Sequence, residues 1–146
     1  MYEQDDGPPK VIKETDLKKI ATEGGRVVKV IDSTSEDYSG FGEVYVSYVA
    51  HGVIRGWKMH TLLKSNLIVV VGKVRFVFFD QNSGEFSEYI LSEQLDKRLT
   101  IEPGLWFAFE GLAAGESAIL NVADRRHDPD ESLHSELSSF SYRWGS

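Results

Sequence analysis

Apolar residues along this chain fall into short runs that alternate with polar residues or are rich in β-branched and aromatic side chains. Such runs, separated by turn residues, are typical of β-strands. They predict strands at residues 26–31, 43–49, 53–60, 67–80, 85–92, 99–104, 105–111 and 117–124. One glycine, Gly72, divides the longest run into two strands. Because no helical pattern of globular length lies between the strands, we predict an all-β sandwich or barrel in a single domain.

The flanking segments are more polar than this central region. Residues 1–25 form a polar N-terminal lead, within which residues 16–25 are predicted to make one short helical turn that ends at two glycines. Residues 26–132 make up the predicted barrel. In residues 133–146, three aromatic residues alternate with other residues as in a strand, so we predict a segment that docks on the barrel or on a partner: Phe140, Tyr142 and Trp144.

Composition narrows the possible functions. The chain has 146 residues, of which 41% are apolar, so one core can form. The absence of cysteine excludes disulfides, thiolate metal sites and cysteine nucleophiles. The net charge is -7 with scattered basic residues, which argues against a nucleic-acid partner but allows a small anionic ligand. No apolar run is long enough to span a membrane and residues 1–10 lack the features of a secretory signal, so we expect a cytoplasmic protein without a membrane partner.

Four segments together carry a family resemblance: GVIRG (52–56), LIVVVGKVRFVFFD (67–80), LTIEPGLWFAFEGL (99–112) and NVADRRHDPDES (121–132). Their order and spacing resemble the dTDP-4-dehydrorhamnose 3,5-epimerase family and the related nucleotide-sugar ketoisomerases. The resemblance covers about residues 40–132. It implies a cupin-type jelly-roll barrel, a homodimer, and a nucleotide-linked 4-keto sugar, of the dTDP type, as substrate or ligand.

Individual positions depart from the epimerase pattern. In that family a catalytic histidine follows R-G-x, and here this position is Lys58. The family's hairpin histidine corresponds to Phe107, and residues 124–126 stand where a tyrosine is usual. The ketoisomerases carry R-G-x-H-x-H followed by a glycine turn, and the residues that fit this spacing are Arg55, Gly56, Lys58, His60 and Gly72. The chain is most similar to a divergent group that reads R-G-W-K-x-H.

Strand geometry sorts the residues of this motif. Alternate residues share a face, so Lys58 and His60 point the same way, whereas Arg55 points the other way unless a bulge at Gly56 resets the parity. His60 is the candidate general base, because histidine titrates near neutral pH, and Lys58 is the candidate partner of the ketone oxygen or a second base. The alternatives are a histidine at the edge of the core that is bonded to backbone and a solvated lysine on the outer face.

Neighbouring polar residues complete the candidate site. Arg55 is suited to a pyrophosphate, because its planar guanidinium matches phosphate oxygens, and its alternative is a surface salt bridge. Tyr45 and Tyr48 face opposite ways, so at most one of them lines a cavity. Tyr45 is the candidate acid that returns a proton to carbon, or it packs with its hydroxyl at the rim. Ser47 shares the face of Tyr45 and is a candidate substrate contact.

Three further candidates for substrate binding have structural alternatives. Trp57 belongs to a group of aromatic residues that form core or stack on the ligand. Asn66 and Asn121 lie on otherwise apolar strands, where a buried amide needs a partner. Each of the two is therefore a structural clip or a ligand contact.

The metal site common in cupins is not expected here. Such a site uses H-x-H, a nearby glutamate and a later histidine, whereas this chain has Lys58, Met59 and His60, then no glutamate before Val71, and Phe107. One imidazole does not make a transition-metal site. We therefore predict no catalytic metal, no cofactor and no dioxygenase chemistry.

These observations lead to three hypotheses. The first is a metal-free epimerase or isomerase that moves a proton next to the ketone of a nucleotide-linked 4-keto sugar. The second is a non-catalytic module that binds a nucleotide sugar, since the epimerase set of residues is incomplete. The third is an accessory partner of a sugar-biosynthesis enzyme, which docks through its aromatic C-terminal segment.

Overall fold

The computed structural model describes residues 12–144, which form β-strands and one short 3-10 helix, Leu137–Ser139. The strands are β1 (Ile12–Asp16), β2 (Lys18–Thr22), β3 (Gly25–Lys29), β4 (Glu43–Val49), β5 (Ile54–His60), β6 (Ser65–Val71), β7 (Lys73–Asp80), β8 (Glu85–Ser92), β9 (Lys97–Ile101), β10 (Trp106–Gly111), β11 (Ser117–Ala123) and β12 (Ser132–His134). Among these residues no helix has the length and apolar character needed to cross a membrane.

Two five-stranded antiparallel sheets make up the barrel. The first sheet has the order β1-β9-β6-β11-β4 and the second has the order β12-β5-β10-β7-β8. From β4 to β7 and again from β8 to β11, consecutive strands alternate between the two sheets, as in a jelly roll. The predicted all-β, cupin-type jelly-roll fold is therefore confirmed. Strands β2 and β3 form a separate hairpin.

Apolar residues on both faces of the second sheet give the molecule two cores. Phe76 and Phe78 of β7 point between the sheets into the first core, together with Leu67, Leu99 and Ile119. The residue between those two phenylalanines, Val77, points to the opposite face and belongs to the second core. This alternation explains why β7 has an apolar sequence throughout, since each face of the strand is covered.

The N-terminal part of the chain differs from its prediction. Residues 16–25 contain β2 and the start of β3 rather than a helical turn, so that prediction is wrong. Ile20 pairs with Val27 across the hairpin, and the pairing of Thr22 with Gly25 leaves a two-residue turn that contains Gly24 at φ 79°. Gly24, which is predicted to end a helical turn, instead permits a tight hairpin turn.

The barrel extends beyond the predicted range of residues 26–132 at both ends. At the N-terminal side β1 pairs with β9, and at the C-terminal side β12 pairs with β5. After β12 the chain crosses the outer face of the second sheet and packs three aromatic side chains on the second core of the same chain: Phe140, Tyr142 and Trp144.

Gly72 separates β6 from β7, as predicted, and has no room for a side chain. Its φ is 83°, and an added Cβ would lie 2.3 Å from the Oγ of Ser117. Ser117 is buried, and its hydroxyl accepts from the amide of Lys73 and donates to the carbonyl of the same residue. The glycine thus allows the close approach that ties the turn to β11.

We predict that Gly72→Ala lowers the free energy of unfolding by about 3 kcal/mol, because the methyl group adds backbone strain and overlaps Ser117. Gly84→Ala is the matched control. Its φ is 73°, but an added Cβ meets nothing within 4 Å, so we expect a loss of about 1 kcal/mol. Urea denaturation of both variants measures the difference, and equal losses would contradict the close-packing argument.

Candidate active site

A β-bulge in β5 places the motif residues around a cavity. Lys58 pairs with Phe107 of β10 and Gly56 pairs with Ala108, which leaves Trp57 as the extra residue. The peptide bond between Gly56 and Trp57 is cis. At Gly56 an added Cβ would lie 2.3 Å from the Cβ of Ala108, so the bulge needs glycine. The bulge resets the parity of the strand, and the side chains of Arg55 and Lys58 therefore reach the same cavity.

The cavity has an inner part, a side part and a mouth. The inner part, of about 110 Å³, is lined by Tyr45, Ser47, Arg55, Lys58, Phe107 and Asn121, among others. The side part, of about 200 Å³, shares Tyr45 and Lys58 and adds His60 and Glu131. The mouth, of about 270 Å³, is lined by Arg55, Lys58, Phe109 and His134. Lys58 borders all three parts and is thus the common cation of the site.

Glu131 holds the imidazole of His60. The Nδ1 of His60 lies 2.7 Å from the Oε1 of Glu131, and both side chains are buried. The other carboxylate oxygen accepts from the amides of Leu62 and Leu63 at 2.9 Å. Because an ionised carboxylate only accepts, Nδ1 carries the proton of the neutral ring. The lone pair then lies on Nε2, which is buried and has no hydrogen-bond partner.

Burial and charge set the protonation states of this pair. Burial lowers the pKa of His60, and the charges of Lys58 and His134 act in the same direction, while Glu131 opposes them. For Glu131, burial acts to raise the pKa, but the amides of Leu62 and Leu63 together with His60 outweigh it, so the pKa is lowered. At neutral pH the site therefore holds a neutral imidazole against an ionised carboxylate.

Tyr45 is the tyrosine of β4 that faces the cavity. Its hydroxyl accepts a hydrogen bond of 2.8 Å from the Nδ2 of Asn121, and burial raises its pKa. The phenol is therefore protonated and able to donate. Tyr48, on the opposite face of β4, is exposed, in agreement with the predicted alternation. Ser47 lines the inner part of the cavity on the same face as Tyr45.

Arg55 lies between the inner part of the cavity and its mouth. Its guanidinium lies 5.5 Å from the ring centroid of Phe109, and its NH1 donates to the backbone carbonyl of Tyr48 at 3.1 Å. The side chain is exposed. An exposed guanidinium with free donors, held by an aromatic face, is suited to an anionic group of a ligand.

Of the predicted contacts, Asn66 does not line the cavity, and Trp57 borders it only at the mouth. Asn66 lies on the opposite face of β6 from Leu67 and is buried, where its Oδ1 accepts from Arg98 and Thr100. Of the two alternatives for this amide, the structure places it as a structural clip. Trp57 borders the mouth, but its indole is buried in the second core because the bulge turns it to the outer face.

Glu131 and His134 were missed by the sequence analysis. Both lie in or beside β12, and they reach the site because this short strand pairs with β5, opposite His60 and Lys58. Glu131 belongs to a polar run that is typical of a loop, and it lies 71 positions after His60 in the sequence. No local pattern marks such a contact.

Within residues 12–144 no group of three histidine, cysteine or carboxylate side chains is placed to hold a metal, and the absence of a metal stays a prediction.

We predict that stability falls as the pH drops below about 6.5, because the unfolded chain then binds a proton that folded His60 does not. Stability falls with falling pH because the pKa of His60 is lower in the folded state than in the unfolded state. The slope of this contribution approaches about 1.4 kcal/mol per pH unit at most. Urea denaturation between pH 7.5 and 5 is expected to show a shallower dependence in His60→Gln than in the unmodified protein. Identical slopes would contradict the assigned protonation state.

The chain matches no protein-family model and no curated protein. Solved structures are similar to it. A dTDP sugar isomerase from Desulfovibrio desulfuricans G20 is 26% identical with a TM-score of 0.85, and the match covers 92% of each chain. A dTDP-4-dehydrorhamnose 3,5-epimerase from Bacillus anthracis, with TDP and PPi bound, is 17% identical with a TM-score of 0.81, covering 92% of this chain and 85% of that one.

QdtA, a sugar 3,4-ketoisomerase from Thermoanaerobacterium thermosaccharolyticum in complex with TDP, is 20% identical with a TM-score of 0.74. That match covers 85% of this chain and 88% of QdtA. The structural neighbours of this chain are thus dTDP-sugar isomerases, 3,5-epimerases and 3,4-ketoisomerases, in agreement with the resemblance of its sequence motifs.

Proposed function

We propose that this protein is a metal-free epimerase or isomerase that transfers a proton next to the ketone of a nucleotide-linked 4-keto sugar, with dTDP as the nucleotide. The observation that carries the proposal is the buried pair of His60 and Glu131 beside Lys58 and Tyr45. Proton abstraction next to a ketone requires a neutral base, a donor or cation for the enolate oxygen, and an acid. These four side chains supply that set.

In the proposed reaction the Nε2 of His60 takes the proton from the carbon next to the ketone. The electron pair of the broken C–H bond moves toward the carbonyl, and the ketone becomes an enolate. The ammonium of Lys58 stabilises the developing negative charge, while Glu131 stabilises the imidazolium that forms. The protonated phenol of Tyr45 returns a proton to carbon, and proton exchange with solvent then restores the phenol of Tyr45 and the neutral imidazole of His60.

The proposed binding mode follows the charges of the cavity. Arg55 at the mouth binds the diphosphate, since its donors face outward and Phe109 supports its guanidinium. Ser47 and Asn121 contact the sugar in the inner part of the cavity. Arg55 and Lys58 make the cavity locally positive on a protein whose net charge is -7, so an anionic nucleotide sugar is admitted at this place.

One observation favours a second candidate, the non-catalytic module that binds a nucleotide sugar. The Nε2 of His60 is buried, and Phe107 stacks on the imidazole with ring centroids 6.0 Å apart. In this candidate Arg55 and Lys58 bind the ligand and no proton is exchanged.

We predict that the protein exchanges carbon-bound protons of a dTDP-4-keto-6-deoxy sugar in deuterated water, measured by NMR. His60→Ala is expected to lower the rate at least about 100-fold with little change in ligand affinity, because the base is lost while Arg55 remains. His51→Ala, at an exposed loop histidine, is the control and keeps the rate. Saturable dTDP binding without exchange in the unmodified protein would favour the second candidate, and an unchanged rate in His60→Ala would contradict the role of His60.

The homodimer implied by the family resemblance has a candidate surface in this chain, and we propose it as the interface. The outer face of the first sheet carries a contiguous apolar patch on β4, β6 and β11: Val44, Val46, Tyr48, Ile68, Leu120 and Val122. Among residues 12–144 no segment pairs with the other edge of β4. Contiguous apolar patches of this kind mark interaction surfaces.

We predict that Val46→Glu changes a dimer into a monomer, measured by size-exclusion chromatography with light scattering, because a charge at the centre of the patch opposes its burial. Ile90→Glu, at an exposed apolar residue on the edge of the second sheet, is the matched control and keeps the dimer. A monomeric unmodified protein, or dissociation of both variants, would contradict this interface.

A further inference from the structure

We propose that Trp57 is a positioning residue, which the C-terminal segment (residues 135–144) holds so that Arg55 and Lys58 both face the cavity. The consequence for catalysis rests on the proposed function. The holding of Trp57 by the C-terminal segment rests only on contacts within the chain.

The alternation of side chains along β5 makes the positions of Arg55 and Lys58 depend on Trp57. In a regular strand, residues three apart point to opposite faces, so either Arg55 or Lys58 would leave the cavity. The bulge removes this conflict by leaving Trp57 without a partner in β10. An unpaired residue in a strand has lost its ladder hydrogen bonds and needs other partners for its backbone.

The C-terminal segment supplies those partners. The amide of Trp57 donates to the carbonyl of Ser135 at 3.0 Å, and the amide of Ser135 donates to the carbonyl of Trp57 at 3.0 Å. The indole Nε1 donates to the carbonyl of Leu137 at 3.2 Å. Both backbone groups and the one polar side-chain atom of Trp57 are thus satisfied by residues about 80 positions away.

Aromatic packing holds the indole from the same side. Trp57 is 1% exposed, and its ring lies 5.4 Å from that of Phe140 and 6.1 Å from that of Trp144. Phe140 also contacts Phe79 and Trp106 of the second sheet, with ring centroids 4.6 Å and 5.4 Å away. The segment is therefore anchored to the sheet independently of Trp57, and it can resist a shift of the bulge.

The base of the site is held separately. His60 is fixed by Glu131, which precedes β12 and lies outside residues 135–144. Loss of the Trp57 contacts is therefore expected to displace the two cations while the hydrogen bond between His60 and Glu131 remains. This separation distinguishes a positioning role from a general loss of structure.

The test compares Trp57→Ala with Trp57→Phe, which keeps an aromatic ring in the second core. The matched control is Tyr89→Ala, which removes a half-buried aromatic ring that packs on Phe78 of the first core. Two measurements are made on the full chain. The first is amide hydrogen exchange at residues 54–60, and the second is the steady-state rate with its pH profile.

In Trp57→Ala we expect amide exchange at Arg55 and Lys58 at least about tenfold faster than in Tyr89→Ala. We expect kcat/KM to fall about 10- to 100-fold, with KM raised by the displaced Arg55 and kcat lowered by the displaced Lys58. The acidic limb of the profile moves to slightly higher pH, because a displaced Lys58 lowers the pKa of His60 less. Trp57→Phe recovers most of both losses. Equal effects in Trp57→Ala and Tyr89→Ala would overturn the proposal, as would an acidic limb that moves to lower pH.

If Trp57→Ala does not fold, Trp144→Ala replaces it, because this change removes one ring contact of Trp57 and leaves the hydrogen bonds of Trp57 in place. The same faster exchange at residues 55–58 is then expected, with a smaller amplitude, and exchange equal to that of the control overturns the proposal. If the unmodified protein turns over no 4-keto sugar, the proposed function fails, and amide exchange alone still decides the role of Trp57.

Discussion

The extra residue in β5 controls which side chains reach the cavity. With the bulge at Trp57, the strand presents Arg55, Lys58 and His60 to the space between the sheets and turns the indole outward. The bulge in turn depends on Gly56, since a side chain there would overlap Ala108 of the neighbouring strand. A single glycine beside a large aromatic residue thereby allows one short strand to bring a guanidinium, an ammonium and an imidazole to the cavity.

The contact between Glu131 and His60 sets the tautomer and the protonation state of the imidazole. A buried imidazole without a charged partner would be neutral but free to adopt either tautomer. The carboxylate fixes the proton on Nδ1 and leaves Nε2 as the acceptor. The two amides that bind Glu131 keep it ionised in spite of burial, so it remains an acceptor. The tautomer of His60 is thus defined by a hydrogen bond from a distant segment and not by the motif alone.

The two sheets differ in how their outer faces are covered. The second sheet is covered by its own C-terminal segment, which builds a second core around Trp57 and Trp106. On the first sheet, the outer face near Asn66 is closed by a buried polar cluster with Asp37 and Arg98, whereas the face on β4 exposes valines and a tyrosine. The covered face stabilises the site strand, and the exposed face is the surface available to another copy.

The sequence by itself determined the fold class, and it named as candidates three residues that the structure brings to the cavity: Arg55, Lys58 and His60. Alternating apolar residues and glycine turns predicted the strands, and the spacing of the R-G-W-K-x-H motif predicted the family of structures that the chain resembles. Alternation also predicted that Tyr45 and Tyr48 face opposite ways, and the structure then placed Tyr45 on the cavity face. These features are local, because side-chain direction in a strand depends on the residues next to it.

Only the tertiary structure decided the rest of the site. It assigned Asn66 to a structural cluster, turned Trp57 outward, replaced a predicted helical turn with a hairpin, and brought Glu131 to His60. Each outcome depends on pairing between segments far apart in the chain, such as β12 with β5. The sequence pattern of one segment does not specify which distant segment pairs with it. Contacts of this kind therefore form only when the sheets assemble.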